Sequence, residues 1–162
     1  MDLLGAQSFP GDIIPEIHFY SEYLPKADEL GFTRQQRYLH FLWDILDRLP
    51  IAVVVDFSFL FRRMIAERLF KRCGKNFLAD EGVRFNFGQN VEVADDVFMN
   101  RHVFLDSRGG IAIGDAVGTG ENADIFTHVH SESELKDGAF QKTTRTAKDG
   151  RVETDRMLQQ GG

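Results

Sequence analysis

The feature that most constrains this chain is a six-residue rhythm that begins in its second half. Phe87, Val93, Met99 and Leu105 follow one another at intervals of six, and all four are large and apolar. Val91, Val97 and Val103 stand four residues after each of the first three. A two-residue slip lies within Ser107-Arg108-Gly109-Gly110, after which the phase resumes at Ile113, Thr119 and Ile125, with Val117 and Ala123 in the secondary positions. Gly88-Gln89-Asn90, Ala94-Asp95-Asp96 and Gly114-Asp115 separate the apolar pieces. An antiparallel sheet would alternate with period two and would not hold a fixed phase of six. Short strands joined by tight turns do so when three flat faces form one turn of a triangular solenoid, roughly 18 residues long. The pattern predicts a parallel solenoid over 82–127, with Phe87, Val93, Met99, Leu105, Ile113, Thr119 and Ile125 pointing inward. Gly, Asn and Asp supply the backbone angles of its corners.

The residues before the repeat have a different period. Thr33 and Gln36 form a capping box ahead of a helix over 35–49, whose Leu39, Leu42, Trp43, Ile45, Leu46 and Leu49 recur at helical spacing until Pro50. A second helix, 57–72, groups Phe57, Leu60, Phe61, Met64, Ile65 and Leu69 on one side, with Gly74 as its C-terminal stop. It carries Arg62, Arg63, Arg68, Lys71 and Arg72 against Glu67. A helix packed on its own domain with a solvated cationic face is the simpler interpretation; contact with an anionic membrane surface is the alternative.

Charge and composition bound the function. The 162 residues carry a net charge of -6, concentrated in residues 73–138 with 5 basic and 12 acidic side chains. Such a chain lacks the Lys/Arg surface that nucleic acid requires. Cys73 is the sole cysteine, which excludes an intramolecular disulfide and a Cys-rich zinc site and fits a reducing, cytoplasmic compartment. The N-terminus has neither the basic start nor the apolar core of a signal peptide. Ile51–Phe61, the most apolar run, has eleven residues and is broken by Asp56, where a bilayer crossing needs about 20. Three segments are expected: a helical one over 1–74, the repeat with its following loop over 75–138, and a disordered or aberrant tail over 139–162, poor in apolar residues after Phe140.

Residues 86–117, NFGQNVEVADDVFMNRHVFLDSRGGIAIGDAV, followed by DIFTHVH at 124–130, resemble the hexapeptide-repeat acyltransferases. The nearest branch is the sugar O-acetyltransferases of the maltose and galactoside type. The likeness covers roughly 73–138. It implies a mainly β fold, an incomplete left-handed parallel β-helix preceded by an α-helical segment. It also implies a homotrimer with active sites in the clefts between neighbouring prisms, acetyl-coenzyme A as co-substrate and a small sugar acceptor. Residues 136–162 lack the further coils that hold coenzyme A in that family, so the chain is read as C-terminally truncated.

His130 matches the position of the family's catalytic histidine, just after Ile125-Phe126-Thr127. Direct acyl transfer to an alcohol needs a base working near neutral pH, and imidazole suits that. His128, two residues earlier, shares its face on an extended segment. Asn100 and His102, in MNRH, and Asp106 match positions where the family sets polar groups toward the acceptor. Asn100 and Asp106 also suit solenoid corners. Arg101 and Arg108 suit phosphate or a neighbour's carboxylates, or plain solvation.

Two other functions remain in view. A zinc enzyme of the gamma carbonic anhydrase type would draw imidazoles from His102, His128 and His130. His102 and His128 are 26 residues apart, which does not match a coil of about 18, and no metal is expected. A non-catalytic solenoid fragment or binding module is the other.

Overall fold

The computed structural model describes His18, residues 20–23 and 31–129, and the strand residues 141–142 and 145–147, the last two pieces as backbone only. Helix α1 spans Arg34–Leu46. Thr33 caps it as the sequence predicts: its hydroxyl accepts the Gln36 N–H at 3.2 Å, and the Gln36 carboxamide oxygen accepts the Thr33 N–H at 2.8 Å. α1 stops at Leu46, with Asp47 as cap, and Pro50 opens a separate 3-10 turn, Pro50–Val53. Leu39, His40, Trp43 and Leu46 form its buried face.

Helix α2 spans Val55–Leu69 and differs from expectation in three ways. Its buried face is Ser58, Arg62, Ile65, Ala66 and Leu69, whereas Leu60 and Met64 are 69% and 42% exposed. Arg62 does not belong to the solvated cationic face. It is fully buried, ion-paired to Asp47 and bonded through Nη1 to the Ala79 carbonyl at 3.3 Å. Asp47 in turn accepts the Gly82 N–H at 3.0 Å, so this pair ties both helices to the first coil. Gly74 does not end the helix. Phe70 leaves it in extended conformation, and the Lys71 N–H is taken by the Val91 carbonyl of the sheet at 2.9 Å.

From Arg72 the chain runs through three short parallel sheets in rotation. The first joins β1 (Arg72–Cys73), β4 (Val91–Val93), β7 (Ile111–Ile113) and β11 (Arg145–Ala147). The second pairs β2 (Leu78–Ala79) with β5 (Phe98–Met99), continued by a bridge from Phe98 to Gly118. The third joins β3 (Arg84–Phe85), β6 (Phe104–Asp106) and β8 (Asp124–Phe126). From β1 to β8 each paired residue meets the one twenty ahead, Arg72 with Glu92, Leu78 with Phe98, Phe104 with Asp124, whereas β11 meets β7 at an offset of 34. The coil is thus twenty residues long, not eighteen.

The two extra residues enter at the same corner of both coils that the described residues complete. Phe85 is followed on the next face by Val91–Val93, and Leu105 by Ile111–Ile113. The slip seen at Ser107–Gly110 therefore has a counterpart at Phe87–Asn90, which the six-residue phase missed by counting Phe87 as a face position. Phe87 is a corner residue beneath Ser107. Both corners contain a 3-10 turn, Gly88–Asn90 and Ser107–Gly109. All seven expected inward residues are nonetheless buried, from 0% exposure at Phe87 to 7% at Thr119 and Ile125.

The other two corners turn on single left-handed residues: Asn76, Asp96 and Ala116 in one stack, Gly82, His102 and Asn122 in the other. Close approach explains Gly74, where a Cβ would lie 2.3 Å from the Ala94 carbonyl oxygen. Leu39, Trp43, Ile65, Leu69 and Phe70 share one core with Phe77, Val83, Met99, Leu105 and Ile125, so helices and coils are packed as a unit. The Trp43 indole N–H, buried in that core, is satisfied by the Val83 carbonyl at 2.7 Å.

Beyond Thr127, β9 (His128–Val129) pairs antiparallel with β10 (Gln141–Lys142), and β11 lies parallel on β7. These two strands fall inside the tail expected to be without structure.

Candidate functional site

The buried polar groups of the coils gather at the corner with the extra residues. Asp106 closes β6, and the following turn brings Arg108 back onto it. The Arg108 guanidinium donates to both carboxylate oxygens, at 3.0 and 2.8 Å, and both residues are buried. A buried carboxylate needs such a partner, because desolvation otherwise outweighs any packing gain. Ser107 accepts the Phe87 N–H at 3.2 Å and donates to the Phe87 carbonyl at 2.8 Å. Twenty residues on, Thr127 repeats the arrangement. Its hydroxyl donates to the Asp106 carbonyl at 2.6 Å and accepts the Gly109 N–H at 2.8 Å, and its own N–H reaches the Asp106 carbonyl at 3.1 Å. The side chain is wholly buried. The chain leaves the regular coil from this clamp.

Below, the same corner is held by α1. The Gly88 N–H donates to His40 Nε2 at 3.2 Å, and the ring packs edge-on against Phe32 at 5.1 Å. Burial pushes the His40 pKa down from 6.5 to about 4, against a smaller upward pull from the Gln89 side chain. The imidazole is therefore neutral at pH 7.

The sequence-derived candidates divide between two corners. Asn100 follows β5; its N–H donates to the Thr119 hydroxyl at 3.0 Å, and its side-chain oxygen accepts the Arg101 N–H at 2.8 Å. His102 is exposed, with φ 56°, and lies directly over Gly82, where a Cβ would come within 2.2 Å of His102 Nδ1. Asp106 belongs to the next corner, with its carboxylate held by Arg108. The β6 face separates these corners by about 15 Å of extended chain. His128 lies in β9, where only the backbone is described, and His130 falls outside the described residues. A period of twenty stacks His102 between Gly82 and Asn122, not with His128. Among the described residues no group of three His, Cys, Asp or Glu side chains could hold a metal. The Cys73 thiol is pushed up to about 11, by burial first and Glu67 second, which disqualifies it as a nucleophile near neutral pH.

Ser107 and Thr127 escaped sequence reasoning, although two hydroxyl residues twenty apart at the slip were the available signal. Arg108 was considered as a ligand for an outside anion; its partner is two residues away.

A shallow groove of about 320 Å³ runs beside this corner, lined by Lys71, Asn90, Glu92, Gly109, Gly110, Ile111 and Ala112. Its one cation, Lys71, is ion-paired to Glu92.

No family model matches the chain. Its structure is similar to that of a maltose O-acetyltransferase from Clostridium difficile 630, with a TM-score of 0.56 and 21% identity over 70% of this chain and 58% of that one. It is also similar to a hexapeptide-repeat-containing acetyltransferase from Vibrio cholerae, with a TM-score of 0.53 and 19% identity over 69% of this chain and 63% of that one. The chain thus spans about three fifths of the length of either structure.

Proposed function

We propose that this chain, which has the fold of the hexapeptide-repeat acetyltransferases, belongs to an O-acetyltransferase that moves an acetyl group from acetyl-coenzyme A to a hydroxyl of a sugar or similar small acceptor. The observation that carries the proposal is the Thr127 clamp. It ties the chain to the Asp106–Gly109 corner three residues before His130, where the resemblance puts the general base. His130 would take the acceptor's hydroxyl proton as its oxygen attacks the acetyl carbonyl. Arg108 neutralises the Asp106 carboxylate at that corner.

Asn100 and His102 would orient the acceptor from the other corner. Two corners one face apart would serve a common site if each came from a different copy, as in left-handed prisms assembled as a homotrimer. The described residues offer no fitting seat for the diphosphate of coenzyme A: Lys71 is the groove's cation and is committed to Glu92. No residue is therefore assigned to the donor. A lone, protonated Cys73 is compatible with the cytoplasm and requires no redox partner.

The test is thioester release from acetyl-coenzyme A with a panel of sugars, run on this chain and on one extended by further coils. His130→Ala should lower turnover by roughly 10²–10⁴ in whichever form is active, and His128→Ala by less. Full activity in His130→Ala removes that base. No turnover in either form leaves a non-catalytic solenoid.

A further inference from the structure

The most apolar run of the chain is not in its core. Within Ile51–Phe61, only Ala52 and Ser58 are buried. Val53 is 77% exposed, Val54 47%, Val55 52% and Leu60 69%. Met64, one turn further, is 42% exposed. The stacked rings of Phe57 and Phe61, with centroids 5.6 Å apart, are half-buried beside them. Phe57, Leu60, Phe61 and Met64 follow the i, i+3, i+4, i+7 spacing of one helix side, next to the Ser58–Arg62–Leu69 face, and Phe61 itself packs against the core. Val55, Leu60 and Met64 are thus exposed on α2 beside the charged Asp56, Glu67 and Arg68, and they continue the exposed Val53–Val54 turn. A contiguous patch of this kind marks an interaction surface.

Charge is graded along the same element. Arg63 and Arg68 lie on α2 and Lys71 and Arg72 just beyond it, all exposed or half-exposed, against Asp56, Glu67 and Glu92, the partner of Lys71, a net of +1 on a chain whose total is -6. A second copy of this helix is a poor partner for that gradient. Parallel pairing would set cations against cations, and antiparallel pairing would set Arg68 and Lys71 against Val53–Val55. A bilayer with an anionic surface satisfies both ends at once. The fifteen-residue helix is about 22 Å long, too short to span the hydrocarbon and suited to lying in its interface. We infer that the Val53–Val55 turn and the outward side of α2 dock on an anionic lipid surface, with Val53, Val54, Leu60 and Met64 among the upper acyl chains and Arg68 and Arg72 at the phosphates.

The experiment is co-sedimentation of the full chain with phosphatidylcholine vesicles, with and without phosphatidylglycerol, alongside sedimentation velocity without lipid. Binding should require phosphatidylglycerol and weaken with added salt. Val53→Asp and Leu60→Asp alter exposed side chains, so the fold, checked by circular dichroism, should stand while binding drops roughly tenfold or more. Arg68→Gln and Arg72→Gln should each weaken it roughly fivefold, and Asp56→Asn should strengthen it. No capture by phosphatidylglycerol vesicles at low salt overturns the inference, as does unchanged capture of Leu60→Asp. Self-association that Leu60→Asp abolishes, without vesicle capture, assigns the face to a second copy instead.

Discussion

Each coil rounds three corners, and two of them are made differently from the third. The corners at Asn76/Asp96/Ala116 and Gly82/His102/Asn122 turn on one left-handed residue apiece and keep their side chains at the surface. The third takes two extra residues and turns them inward: Phe87, Ser107, Arg108 and Thr127 are all buried there. At the tight corners the cost is local backbone strain, and the side-chain hydrogen bonds that support the path, such as those accepted by Asp95 and Asn100, lie at the surface. At the wide corner the path is fixed by side-chain hydrogen bonds, which can fail one at a time. The wide corner is also where the chain departs toward His128 and His130. The difference teaches that regularity sets the scaffold while the insertion gathers the polar groups.

The strongest way to break this contrast is to remove one charge from each kind of corner. Arg108→Ala leaves a buried carboxylate without its partner and should cost about 3–5 kcal/mol in urea unfolding. Arg101→Ala, at a tight corner, removes an exposed pair with Asp80 at 3.6 Å and should cost less than about 1 kcal/mol. Similar losses would erase the distinction.

Acid probes the wide corner from below. His40 has a folded pKa of about 4 against 6.5 unfolded, so on acidification the unfolded chain takes the proton first. Stability from this group is complete above about pH 6.5 and falls as pH drops toward 4, by about 3 kcal/mol in all. His40→Gln should flatten that part of the pH profile; an unchanged slope between pH 6.5 and 4 would place the titration elsewhere.

Thr127→Val keeps the shape but strips the hydroxyl, stranding the Gly109 N–H, and should cost about 1–3 kcal/mol. Hydrogen exchange at Gly109 should accelerate in step. Thr127→Ser should restore most of both. The smallest effect belongs to the tight corners. Ala116 holds φ 56°, so Ala116→Gly should relieve strain and stabilise by about 0.5–1 kcal/mol, read as a rise in the unfolding midpoint. A loss there would mean that the Ala116 methyl contributes packing that outweighs the strain.

Sequence and structure agree where period alone decides. The inward stack from Val93 to Ile125 and the Thr33–Gln36 box were legible because a repeat and a local cap depend on near neighbours. The length of the coil was not, since one slip at Ser107–Gly110 reads as an accident until its counterpart at Phe87–Asn90 is seen. Arg62 was misplaced because its partner, Asp47, lies on another helix, and helical spacing says nothing about which face meets a neighbour. Leu60 and Met64 were grouped with Ile65 and Leu69 for the same reason: only the tertiary contacts choose which part of that apolar side is covered. At the candidate site, Asp106 stands at a corner, one of the two readings its residue type left open, and its attachment to Arg108 depends on a tight turn that residue types alone do not specify.

The twenty-residue period bears on how such a gene can change length. Removal of residues 92–111 would bring Ala112 to the place of Glu92, its own ladder partner, and leave every remaining strand on its original face. Loss of eighteen codons would carry face residues into the wide corner and corner residues onto a face. Duplications and deletions in multiples of one coil are therefore structurally quiet, and other lengths are selected against wherever the ladder has to continue.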